Sequence, residues 1–212
     1  MTDERMAAEN IIRSPQRVAD HGEVLTPSWL VDDMLELVQA EAERIDSRFL
    51  EPACGSGNFL VPLLRKKLQS ARRKYGASEF ELNNYSLLAL MCIYGVELLA
   101  DNAEECRQNL LRAFADEIRP DVESPIVRAA HSVVRSNIVQ GDALTFCVPS
   151  GEPIVFPEWA YLGQGRFQRR DFRYDVLTQR SSLGGIFDLL ETHEIFSAVR
   201  EYPPMTIQEI AQ

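Results

Sequence analysis

The sequence predicts an α/β fold built around a parallel sheet with helices on both faces. Three short apolar segments are typical of buried strands: residues 48–51, 93–98 and 137–144. Segments with helical spacing of apolar residues separate them, most clearly residues 100–114. Strands that alternate with helices favour parallel crossovers, which place helices against the sheet.

The other helix candidates follow the same periodicity. Residues 27–44 carry apolar side chains at helical spacing, with Thr26 or Ser28 as the expected N-cap. The remaining candidates before residue 145 are residues 58–74, 82–92 and 125–135.

The pattern weakens after residue 145. Residues 146–170 are rich in proline, glycine and aromatic side chains, and we interpret them as a loop with short strand pieces. A strand is expected over 171–177 and a helix over 186–199. The sequence thus divides into an N-terminal extension over 1–20, a core over 21–145 and a C-terminal extension over 146–212. We expect the last part to be irregular and to add a partial second half of the sheet.

The composition limits the classes of protein to which the chain can belong. Its 212 residues are 45% hydrophobic, enough for a core of its own. The formal net charge of −10 does not suit a surface that binds nucleic acid throughout, because phosphate contacts need basic side chains. The four cysteines lack CxxC spacing, so we expect reduced thiols in a cytoplasmic protein and no metal site. No apolar run approaches the length of a membrane span, and no membrane contact is expected.

The segment EPACGSGNF, residues 51–59, is the first functional signal. Gly55 and Gly57 follow a strand and precede a helix, where a cofactor can approach backbone N–H groups at the positive end of the helix dipole. Glu97 ends the second strand, where a carboxylate can accept hydrogen bonds from ribose hydroxyls. Asp142 follows the third strand, where a carboxylate can accept from the amine of an adenine ring. Each signal taken alone also fits an ordinary turn or a charged strand end.

Together these motifs resemble those of amino-group DNA methyltransferases that use S-adenosylmethionine (SAM), particularly the adenine-N6 type. EPACGSGNF resembles their SAM motif, GVELLADNAEECRQNL their ribose-binding motif and NIVQGDAL their adenine-ring motif. GEVLTP, residues 22–27, resembles the motif that precedes the first strand. The spacing is most similar to the modification subunits of restriction–modification systems. The resemblance covers about residues 21–145.

The resemblance implies a Rossmann-like SAM-methyltransferase sheet, SAM as the cofactor and DNA adenine as the substrate. It implies that Thr26 contacts the methionine carboxylate, that Glu97 holds the ribose hydroxyls and that Asp142 holds the adenine amine. The methionine pocket would be shaped by Glu51, Ala53, Gly55 and Gly57.

The catalytic motif of that family is not found after Asp142. The family places Asn/Asp-Pro-Pro and an aromatic residue at the end of the fourth strand, where they hold the target amine and stack on the flipped base. The nearest substitute pairs the carboxylate of Glu158 with the ring of Trp159, and these two residues are the catalytic candidates. The alternative for this stretch is a loop with a half-buried tryptophan.

Two kinds of partner are expected. Arginines interleaved with Phe167 and Phe172 favour contact with DNA. These arginines are Arg166, Arg169, Arg170 and Arg173. The short stretch after Asp142 also suggests a partner subunit that supplies target recognition.

Three alternatives stay open at this point. The chain would be a SAM-binding or regulatory module that does not transfer the methyl group, or a subunit whose site a partner completes. It would otherwise be a methyltransferase that acts on RNA, protein or a small molecule, with Glu158 or Asp171 as its polar group.

Overall fold

The computed structural model describes residues 14–21, 23–121, 123–176 and 197–212 of the chain. Within them, two three-stranded sheets are combined with helices, so the α/β class is confirmed. The helices are α1 (Pro15–His21), α2 (Ser28–Leu37), α3 (Gln39–Glu43), α4 (Leu60–Tyr75), α5 (Glu79–Met91), α6 (Ala100–Ile118), α7 (Pro125–Asn137) and a short C-terminal helix (Ile207–Ile210). The strands are β1 (Phe49–Glu51), β2 (Ile93–Glu97), β3 (Ile138–Gln140), β4 (Val155–Gly163), β5 (Arg166–Arg173) and β6 (Arg200–Glu201). No helix in this described part has both the length and the apolar character that a bilayer crossing requires.

The first sheet is parallel and has the strand order β1-β2-β3. Phe49 lies opposite Ile93, and Gly95 lies opposite Ile138. Every residue of the central strand β2 is buried, as expected when helices cover a parallel sheet. Helices α4 to α7 contact this strand. The three predicted strands and the helices between them are therefore confirmed, although β3 ends at Gln140 and is shorter than the segment expected over 137–144.

The helix expected over residues 27–44 is divided into two. Helix α2 ends at Leu37, and α3 begins after Val38, whose φ of −115° interrupts the helical backbone. The expected N-cap, Thr26 or Ser28, is wrong. Pro27 occupies that position without a capping side chain, and its ring fixes φ at −63° just before the helix begins.

The loop expected over residues 146–170 is wrong for most of its length. Strands β4 and β5 form a long antiparallel hairpin, in which Phe156 pairs with Phe172. The proline and glycine residues that indicated a loop have other structural roles in this hairpin. Pro157 lies in β4 at the edge of its sheet, where a missing N–H is tolerated. Gly163 and Gly165 adopt positive φ in the hairpin turn.

The described part of the C-terminal extension does not continue the parallel sheet. It forms a separate antiparallel sheet with the order β4-β5-β6. The strand expected over 171–177 is right only as far as Arg173, because residues 174–176 are helical. Most of the helix expected over 186–199 lies outside the described residues, and residues 197–199 are not helical. The division of the chain at residues 20 and 145 stays a prediction.

A buried lysine holds the amino end of β1. Lys67 has no exposed surface, although the sequence places it in a basic cluster on α4. Its Nζ donates to the carbonyl oxygens of Arg44 and Ser47, both at 2.7 Å, and to the Ser47 hydroxyl at 2.6 Å. Desolvation by burial lowers the pKa of Lys67 to about 8. The ammonium group therefore fixes the turn that leads into β1.

We expect Lys67→Met to destabilise the protein by about 2 to 3 kcal/mol, because it removes the charged donor to the buried carbonyl oxygen of Ser47. The free energy of unfolding in urea measures this loss. Lys66→Met is the matched control on the same helix, and should stay within about 0.5 kcal/mol of the wild type. Equal losses in the two variants would contradict the anchoring role.

Candidate functional site

A cleft of about 400 Å³ lies at the carboxyl ends of the parallel strands. The loop after β1, the turn after β2 and the segment after β3 supply three of its walls. Residues 23–25, ahead of α2, supply the fourth. The carboxyl ends of parallel strands are where open α/β sheets bind ligands.

This cleft brings together four of the residues that the sequence assigns to SAM: Ala53, Gly55, Glu97 and Asp142. Two others, Thr26 and Gly57, line a neighbouring cleft of about 460 Å³. Glu51 lies outside both linings, and its Oε1 accepts a hydrogen bond from the backbone N–H of Ala53 at 3.3 Å. The predicted set is thus divided between two adjacent clefts.

The buried carboxylate of Glu97 joins two loops of the cleft. Its Oε2 accepts from the backbone N–H of Gly55 at 2.9 Å, and its Oε1 accepts from that of Leu99 at 2.9 Å. The glycine loop and the start of α6 are therefore held together by one side chain. Each carboxylate oxygen has two lone pairs, so both oxygens keep the capacity to accept from a hydroxyl group of a ligand.

Two glycines give the loop its shape for different reasons. Gly55 has φ +53°, and a Cβ added to it would meet nothing within 4 Å, because it borders the open cleft. Gly57 has φ +93°, and its added Cβ would lie 3.1 Å from Sγ of Cys106. The first glycine therefore leaves room for a ligand, and the second lets α6 pack closely.

Cys54 is a packing residue of this loop. Its thiol is buried against β2, where a Cβ added to Gly95 would lie 2.7 Å from its Sγ. A hydrogen bond with Cys106, and then burial, raise the pKa of Cys54 far above its usual value. A neutral buried thiol is not a nucleophile, so Cys54 contributes packing and no covalent chemistry.

Asp142 shapes its own turn and remains charged. Its Oδ1 accepts from the backbone N–H of Leu144 at 2.8 Å, and this bond is the main cause that lowers its pKa. The backbone N–H of Asp142 donates to the carbonyl of Cys147 at 2.9 Å. The ionised carboxylate keeps lone pairs for a donor from a ligand in the cleft.

Three exposed apolar side chains in the cleft were not predicted from the sequence. Val24 and Leu98 are each 54% exposed, and Leu144 is 89% exposed. They line the same cleft as the two carboxylates, so the cleft combines apolar surface with acceptors, as small-molecule sites usually do. The sequence gives one indication of this apolar surface, because Leu98 directly follows the predicted binding residue Glu97.

The catalytic candidates Glu158 and Trp159 are not brought to this cleft. Trp159 is 3% exposed in β4, and its Nε1 donates to Oδ1 of Asn137 at 3.2 Å. The interpretation of a half-buried tryptophan in a loop is therefore wrong, and the ring has no free face for a base. Glu158 pairs with Arg48 at 2.8 Å and with Arg170. Burial acts to raise the pKa of Glu158, but these guanidinium groups outweigh it and lower the pKa.

The arginines proposed for DNA contact are mostly engaged within the chain. Arg169 forms two hydrogen bonds with Asp171, at 2.7 and 3.0 Å. Arg170 pairs with Glu158, and Arg173 pairs with Asp175 at 2.6 Å. These carboxylates neutralise the charges that would attract phosphate. The arrangement gives no support to the predicted DNA contact, and Asp171 is occupied in the same way.

Comparisons with known proteins leave the site to be interpreted from its geometry. A scan against protein-family models found no match, and searches of curated proteins and of solved structures found none either.

The two loop glycines should respond differently to alanine. Gly55→Ala should cost about 1 kcal/mol of stability, since only the positive φ is strained. Gly57→Ala should cost about 2 kcal/mol or more, because its Cβ also crowds Cys106. Urea unfolding of both variants measures the difference. A larger loss for Gly55→Ala would contradict this account of the loop.

Proposed function

We propose that the chain is a SAM-dependent methyltransferase of the adenine-specific DNA type, related to restriction–modification systems. The cleft at the carboxyl edge of the parallel sheet is its SAM site. The observation that carries the proposal is the placement of Glu97 and Asp142 at the carboxyl ends of adjacent strands, in one cleft with the open face of Gly55.

The residues of the cleft fit the adenosine part of SAM. The Glu97 carboxylate would accept from the ribose hydroxyls while it holds the glycine loop. The Asp142 carboxylate would accept from the adenine amine, and Leu98 and Leu144 would cover the ring. The volume of about 400 Å³ lies in the range of small-molecule sites.

The topology and the neighbouring cleft support the same proposal. The order β1-β2-β3 is the one found in the first half of a doubly wound Rossmann-like sheet. Thr26 and Gly57 line the adjacent cleft, to which we assign the methionine end of SAM. The side chain of Asn58 donates to the carbonyl oxygen of Thr26 at 3.3 Å and so holds that end of the site.

Bound SAM would supply an electrophilic methyl group. The contribution of the chain is to bind and orient SAM so that an incoming amine nitrogen meets the methyl carbon in line with the sulfur. Glu97 would hold the ribose and Asp142 would hold the ring, and together they would orient the bound cofactor. No described residue is assigned to the acceptance of the proton that leaves the amine.

A second candidate is a SAM-binding subunit whose acceptor site comes from a partner chain. The observation that favours it is the engagement of Glu158 in ion pairs and of Trp159 in the core. Both candidates require SAM binding, and only the first requires transfer by the chain alone.

Two measurements on the purified chain test the proposal. Calorimetric titration with SAM tests the site, and transfer of labelled methyl from SAM to DNA adenine tests the activity. Binding with transfer supports the methyltransferase. Binding without transfer supports the partner-dependent subunit, and absence of SAM binding overturns both.

The Asp142→Asn variant should bind SAM about tenfold more weakly. The asparagine still accepts from the N–H of Leu144, but its amide group presents a donor to the adenine amine. The matched comparison is the SAM analogue in which adenine is replaced by hypoxanthine, whose oxygen accepts instead. We expect the substitution to reduce the preference of the site for adenine over hypoxanthine. An unchanged preference, measured by titration with both ligands, would remove Asp142 from the adenine site.

A further inference from the structure

One arginine of helix α1 connects the N-terminal segment to the SAM cleft. The guanidinium of Arg17 pairs with Glu23, with Nη2 to Oε1 at 3.1 Å. It also pairs with Asp101 in the first turn of α6, with Nη1 to Oδ2 at 2.6 Å and Nη2 to Oδ1 at 3.2 Å. A single side chain therefore contacts both the segment ahead of α2 and the helix that follows the Glu97 turn.

A buried amide completes this connection. Asn102 is 1% exposed, and its Nδ2 donates to Oε1 of Glu23 at 2.6 Å. Its Oδ1 accepts from Nη2 of Arg17 at 3.3 Å. Glu23 and Asn102 both line the cleft, so the contacts of Arg17 reach its wall directly.

The segment made of the wall residues 23–25 and the following Thr26, named here the wall segment, is held at its two ends. Arg17 and Asn102 hold it at Glu23, and the Asn58 amide holds it at the carbonyl of Thr26. Between these points Val24 faces the cleft with 54% of its surface exposed. The position of Val24 relative to Leu98 and Leu144 thus depends on the contacts at Glu23.

We propose that Arg17 is a positioning residue for the SAM site, which holds the wall segment against α6 so that the cleft encloses the adenosine part. The inference rests on the proposed function, since it takes adenosine as the group enclosed. Arg17 is not one of the residues that line the cleft, so its proposed role acts through Glu23 and Asn102.

The chemistry of the contacts suits arginine. A planar guanidinium offers five donors in a fixed fork, so it can pair with two carboxylates and an amide oxygen at once. The Glu23 carboxylate is mostly buried, with 9% of its side chain exposed, and a charge in that environment gains most from a fixed cationic partner. The paired Arg17 guanidinium is the main cause of the lowered pKa of Asp101, so this partner stays ionised at neutral pH.

The test uses the full chain with Arg17→Leu, which keeps an apolar stem at this position and removes the guanidinium donors. Two quantities are measured: hydrogen exchange of the backbone amides of residues 23–26 without ligand, and the affinity and dissociation rate of SAM. We expect faster exchange confined to the wall segment, about tenfold weaker binding and faster dissociation. Arg17→Lys should recover part of the affinity, because an ammonium can pair with one of the two carboxylates.

The matched control is Arg73→Leu. Arg73 forms a long-range exposed ion pair with Glu43 at 3.4 Å and lines neither cleft. This control should leave both the exchange of residues 23–26 and the affinity for SAM unchanged.

The outcomes separate the inference from the proposed function. A wild-type chain that binds SAM, together with an Arg17→Leu variant that binds it equally well, overturns the positioning role alone. A wild-type chain that binds no SAM overturns the proposed function and the inference with it. If Arg17→Leu fails to fold, Arg17→Lys decides, and wild-type affinity and wild-type exchange in that variant overturn the positioning role.

Discussion

The two hydrogen bonds that the Glu97 carboxylate accepts are the constraint on which the candidate site depends. They join the backbone of Gly55, in the loop after β1, to that of Leu99, at the start of α6. Charge-assisted hydrogen bonds to backbone amides are strong and directional, and a buried carboxylate requires them. These bonds therefore fix the positions of the glycine loop, the end of β2 and the start of α6 relative to one another. These positions determine the shape of the cleft.

The short strand β1 is fixed at both of its ends by charged groups. At its amino end, the ammonium group of Lys67 binds the carbonyl oxygens of the preceding turn. At its carboxyl end, Glu97 binds the loop that follows. A strand of three residues makes few ladder hydrogen bonds of its own, so these two side chains supply much of its positional definition. Removing Lys67 takes the donor from the Ser47 carbonyl oxygen, and removing Glu97 takes the acceptor from the N–H groups of Gly55 and Leu99.

In the C-terminal sheet, charged side chains pair with one another and not mainly with backbone groups. Its arginines pair with neighbouring carboxylates, and Arg169 also lies over the rings of Trp159 and Tyr202, at 5.3 and 4.7 Å from their centroids. These contacts stabilise the antiparallel sheet and leave little net positive charge on it. A local sequence rich in arginine and aromatic residues therefore has a structural explanation here, and none of these residues lines either cleft of the proposed site.

The sequence by itself determined the α/β class, the three parallel strands and the order of most helices. It also determined that Gly55, Glu97 and Asp142 lie at or just beyond the carboxyl ends of the strands. These features follow from local periodicity and from the rule that parallel strands share a carboxyl edge. Only the tertiary structure showed the contacts of Arg17, Lys67 and Trp159. It also showed a hairpin in the segment where proline and glycine had indicated a loop. The physical reason is that a charged or aromatic side chain takes its role from partners distant in the chain, as Arg17 does from Asp101, and no local pattern encodes them.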